Sequence, residues 1–68
     1  MQHAPVIVHP PSTGGRRVTL HGTDLGRALR PGHVAALLRR AGFPTPFAWD
    51  DADVIKWRSG GPDTWRMP

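Results

Sequence analysis

Arg30-Pro31-Gly32-His33-Val34-Ala35-Ala36-Leu37-Leu38-Arg39-Arg40-Ala41-Gly42 reads as one short helix with both ends marked. Pro31 suits the first helical position, where a missing N–H costs nothing. Gly42 suits the left-handed position just past a helix end. Val34, Leu37, Leu38 and Ala41 fall at i, i+3, i+4 and i+7, a single apolar stripe. Arg39 and Arg40 sit in the last turn, where the helix dipole favours cations. The spacing predicts a helix over Pro31 to Ala41, and its stripe must dock on something.

The flanking segments supply strands. Arg16-Arg17-Val18-Thr19-Leu20-His21 alternates with period 2. Gly22-Thr23 fits the Gly-X pair of a type II′ turn. Asp24 to Leu29 is then the returning strand, with Leu20 opposite Leu25 and Val18 opposite Arg27. A competing reading lets Asp24 cap a first helical turn through Leu29, but Gly26 and Pro31 oppose one helix from 24 to 41. Earlier, Pro5 to His9 is a β-prone run with proline at its start, and Pro10 to Gly15 is a turn-rich loop. Beyond Gly42, Phe43 to Trp49 is a proline-broken, aromatic connector. Asp50-Asp51-Ala52-Asp53 is a polar turn. Val54 to Arg58 is a last strand with Ile55 and Trp57 on one face. Gly60-Gly61-Pro62 breaks it, and Trp65 is expected to fold back across that bend.

The fold class expected is α+β: a small antiparallel sheet in the order β-β-β-α-β, with one helix packed on one face. The helix stripe would cover Ile7, Val18, Leu20, Leu25, Leu29, Ile55 and Trp57. The whole of 1–68 reads as a single small domain, with 1–4 and 66–68 frayed.

Composition bounds the function. A 68-residue chain buries only ~60% of its unfolded surface. No cysteine means no disulfide and no thiolate metal site. The longest apolar run, Val34 to Leu38, is far too short to span a membrane, and the first residues lack the pattern of a signal peptide. A cytoplasmic protein with no membrane partner is expected. Eight Arg and one Lys against five Asp and no Glu give a net charge of +4. The charge is uneven, +5 over residues 1–46 and −1 over 47–68.

Chemistry-bearing residues form no recognisable catalytic or metal pattern. His3, His9, His21 and His33 are spaced 6, 12 and 12 apart, unlike zinc ligands. Ser12-Thr13-Gly14-Gly15-Arg16 leads into a strand, not a helix, and lacks the lysine of a phosphate loop. Asp50, Asp51 and Asp53 lack the glycine and distal Glu of a calcium loop. The expectation is therefore no enzyme and no cofactor. Two features carry functional weight. Arg16, Arg17, Arg27, Arg39 and Arg40, with Arg30 nearby, are candidate contacts for an anion or nucleic acid. Trp57 and Trp65 are candidate contacts for a partner protein, because Trp dominates interface hot spots.

The set Gly14-Gly15-Arg16-Arg17-Val18, Leu25-Gly26-x-Ala28, Val34 to Gly42 and Trp57-Arg58-x-Gly60-Gly61-Pro62-Asp63-x-Trp65 resembles short actinobacterial proteins of the Streptomyces type, a group of unknown function. The likeness runs from about Val6 to Trp65. Gly32-His33 stand where that group has acidic residues early in the helix. The resemblance implies a fold pattern and no activity.

The sequence favours a small non-enzymatic interaction module, binding an unknown protein partner or itself. The alternative is a nucleic-acid-binding accessory protein using the Arg surface. Strand and helix parity divide the arginines between two surfaces, so nucleic-acid binding is expected to be weak.

Overall fold

The computed structural model describes residues 4–44 and 48–65. The expectations for residues 1–3 and 66–68, and for Phe47 in the connector, lie outside the described residues. The elements are β1 (Val6–Ser12), β2 (Gly15–Leu20), β3 (Thr23–Ala28), α1 (Pro31–Arg40) and β4 (Ile55–Trp57). They form one four-stranded sheet in the order β3-β2-β1-β4, with the helix packed on it. The α+β architecture expected from the sequence is the one observed.

The sheet is mixed rather than wholly antiparallel. β1 and β2, and β2 and β3, pair antiparallel through tight turns, but β4 runs parallel to β1. The connection explains this. The helix carries the chain from the end of β3 back to the sheet's starting end, so β4 enters in the direction of β3 and β1. A hairpin would have reversed it.

β1 sits inside the sheet with its alternate residues Val6 and Val8 fully buried. They pair with Ile55 and Trp57 of β4 and with Leu20 and Val18 of β2. Val18, Ala28, Ile55, Val34 and Leu38 complete the buried core, and Leu20, Leu25, Leu37 and Phe43 pack around it. Two expected core residues stand elsewhere. Ile7 falls on the opposite face, because Val6 and Val8 point inward and parity leaves it out. Leu29 lies past the end of β3 and is 62% exposed.

The proline pair Pro10-Pro11 belongs to β1, not to a loop. β4 reaches only to the residue opposite Val8, so beyond it β1 is an edge and no neighbour needs the missing N–H. The ladder to β2 is also irregular between Val8 and Pro11. The turn proper is Thr13-Gly14.

The turn of the second hairpin sits one residue earlier than expected, which shifts the pairing beside it by two residues. The turn is His21-Gly22, and Leu20 opposes Thr23 rather than Leu25. Both turn residues have positive φ, 51° at His21 and 85° at Gly22, the type I′ geometry that follows strand twist. Leu25 then bulges out of β3 between the Val18–Gly26 and Thr19–Asp24 pairs and changes the phase, so Val18 opposes Gly26, not Arg27. The Asp24 carboxylate holds the bulge by accepting the Gly26 N–H at 2.8 Å.

The helix ends as its sequence indicates. Pro31 opens it. At its far end the Gly42 N–H donates to Arg39 O (3.0 Å) and the Phe43 N–H to Leu38 O (2.9 Å), the Schellman pattern. The helix contacts β3 and β2. Val34 and Leu38 are buried, Leu37 is half-buried, and Ala41, the C-cap, is exposed rather than part of the stripe.

Candidate functional site

Arg16 follows from strand parity. On β2 it lies two residues from Val18, so it shares the core face, and its side chain is fully buried. The chain after β4 folds around it. Nε donates to His9 O (2.9 Å). One terminal nitrogen donates to Gly61 O (2.9 Å) and Thr64 O (2.7 Å), the other to Arg58 O (2.7 Å) and Gly60 O (3.1 Å). All five N–H donors of the guanidinium are thereby used, and every acceptor is a backbone carbonyl. Burial pushes the Arg16 pKa below its ordinary value. A guanidinium nevertheless remains charged in proteins, and here carbonyl dipoles, not a carboxylate, stabilise it.

The bend that presents those carbonyls has an unusual backbone. Ser59 and Gly60 both have positive φ, 60° and 105°. A side chain at Gly60 would also meet Thr64 at 2.8 Å. Glycine is required there on both counts. The tryptophans complete the enclosure. The Arg16 guanidinium carbon lies 5.3 Å from the Trp57 ring centre and 5.6 Å from that of Trp65, within cation–π range. Trp57 and Trp65 meet edge to face at 6.0 Å, and Trp49 and Trp57 are tilted at 6.0 Å. Trp57 Nε1 donates to Trp49 O, and Trp65 Nε1 to Pro62 O. Trp65 does fold back across the bend.

Three residues singled out in the sequence are therefore structural. Arg16 is withdrawn from the anion contacts, because its donors are saturated and it meets no solvent. Trp57 and Trp65 have their rings turned on Arg16 and on each other, so they act first as structural staples.

The other face of the sheet is different. No helix or strand among the described residues covers it. Arg17 and Arg27 are direct cross-strand partners there, both exposed. Lys56 pairs in register with Ile7 on the same face, and Arg58 follows by alternation. None of these four cations forms an ion pair among the described residues. His9 lies within this group. Its Nε2 is 3.0 Å from Thr19 Oγ1. Its pKa is held below the ordinary 6.5, first by burial, then by the Arg17 and Arg58 charges, with Asp24 opposing.

Arg39 and Arg40 are exposed at the helix C-terminus, on the helix side of the sheet, and do not join this group. The expected division of arginines between surfaces is thus observed for the sequence candidates. Lys56, Arg58 and His9 were not among those candidates. Alternation could have found the first two, since Ile55 and Trp57 facing inward forces Lys56 and Arg58 outward. Among the described residues no three His or Asp side chains gather as metal ligands, and no helix is long and apolar enough to cross a membrane. No family model, curated protein or solved structure matches the chain.

Proposed function

We propose that this chain is a small, non-enzymatic binding module that holds nucleic-acid phosphates on its uncovered sheet face. One observation carries the reading. Arg17 and Arg27 stand directly opposite each other, exposed and without a carboxylate partner, beside Lys56 and Arg58. Like charges directly opposed on neighbouring strands destabilise a sheet. A polyanion laid across them would turn that repulsion into attraction. The rings of Trp57 and Trp65 are engaged with Arg16, which favours nucleic acid over a protein partner. On this reading the chain works in the cytoplasm.

Four phosphate contacts give modest affinity, about 10⁻⁵ M at physiological salt, within the non-specific range. The test is a titration of a labelled single-stranded oligonucleotide at several salt concentrations. Four contacts predict a slope of log K against log salt of about −3. The combined variant Arg17→Ala, Arg27→Ala, Arg58→Ala should reduce the slope to about −1, while Arg39→Ala, Arg40→Ala leaves it unchanged. Absence of binding, or equal loss in the helix variant, overturns the reading.

A further inference from the structure

A groove of about 510 Å³ runs beside β4, the last strand of the sheet. Ile7, Trp49, Asp50, Ile55, Lys56 and Trp57 line it. Ile7 and Lys56 are register partners on the uncovered face, so the groove opens into the basic surface rather than lying apart from it. Its walls are thus mainly apolar and aromatic, with one cation and one carboxylate.

We propose that this groove is a nucleobase site, and that the nucleic acid bound on the sheet face is therefore single-stranded. The inference rests on the phosphate-binding reading and deepens it. Non-specific single-strand binders pair a cationic track for the backbone with aromatic surfaces for the bases. Here the cations Arg17, Arg27 and Arg58 are the track, Lys56 joins track to groove, and the aromatic wall is Trp49 together with the part of Trp57 that lines the groove and is not turned on Arg16. The volume falls among small-ligand sites, roughly 300–1,000 Å³. A base inside a duplex is stacked and cannot enter such a groove; an unpaired base can be turned out into it. Asp50 supplies a charged acceptor for an exocyclic amine, the contact a carboxylate makes to cytosine.

The experiment compares a short oligodeoxycytidylate with an abasic deoxyribose-phosphate oligomer of the same length, titrated against the wild-type protein. The two carry the same phosphates and differ only in bases. The base-bearing strand should bind about tenfold tighter, a loss in keeping with removal of a stacked base. Ala52→Phe, an exposed position lining the groove, should bring the ratio towards one without changing the circular dichroism spectrum. Equal binding of the two oligomers, or of a duplex and the single strand, overturns the groove while leaving the phosphate face standing. Binding of neither oligomer overturns both.

Discussion

Arg16 is the residue on which the second half of the molecule turns. A strand presents consecutive side chains to opposite faces, so Arg16 and Arg17 cannot share a role. Arg17 faces solvent and a prospective ligand. Arg16 enters the core face, where an unpaired guanidinium would be very costly. Five carbonyls and two indole rings offset that cost. Arg16→Lys tests the geometry with charge retained. An ammonium has three donors against five, so two charge-assisted bonds are lost, at about 1.5–3 kcal/mol each. Chemical denaturation should show a loss of about 3 kcal/mol or more, a large share of the roughly 3–10 kcal/mol expected for 68 residues. A loss under 1 kcal/mol would mean that the clasp contributes little. The parity of β2, fixed by Val18 and Leu20, carries the inward direction of Arg16, but the residue's charge led to its being counted among the anion contacts instead. The convergence of carbonyls from residues 58–64 was not, because it depends on two consecutive positive-φ residues and on contacts more than forty positions away. His9 gives a second test at this scale. Its folded-state pKa lies below 6.5, so the unfolded chain binds the proton more readily. Its contribution is therefore complete above pH 6.5 and is lost as pH falls through the folded value. Replacing it by His9→Gln should reduce the drop in melting temperature between neutral and mildly acidic pH. An unchanged drop would show that His9 is not the group responsible.

At the level of elements, the helix was the most legible part, because its apolar spacing, its Pro31 and its Gly42 agree. The stripe is narrower than its pattern, however. The helix rests on β3 and β2, which buries Val34 and Leu38 and leaves Leu37 at the margin. Leu38→Ala should cost about 2–5 kcal/mol, and Leu37→Ala distinctly less. Thermal melts of the two variants check the order; a greater loss at Leu37 would place the helix wrongly on the sheet. The hairpin was legible as a hairpin, and its turn was misread by one residue. Gly22 fits either the first position of a II′ turn or the second of an I′ turn, and His21 tolerates the left-handed conformation that decides between them. The bulge that follows restores the core parity of Ala28, which no local pattern announces. At the start of β1, Val6-Ile7-Val8 has no alternation to reveal that Ile7 points outward.

The whole molecule sorts its charges by its topology. A helix between β3 and β4 closes one face and leaves the other to Arg17, Arg27, Lys56 and Arg58, while Arg39 and Arg40 remain on the helix side. The −1 balance of residues 47–68 concealed this, because a net count does not say which residues alternate outward. The parallel entry of β4 was hidden as well, and it is what brings Lys56 and Arg58 beside β1 and His9. The central claim is that this face, and not the helix end, is where the chain meets nucleic acid. Amide correlation spectra recorded during titration with a short single-stranded oligonucleotide test it most directly. Progressive shifts are expected at Ile7, His9, Arg17, Arg27, Lys56 and Arg58, with Val34 to Arg40 unmoved. Shifts centred on Arg39 and Arg40, or none at saturating oligonucleotide, would contradict it.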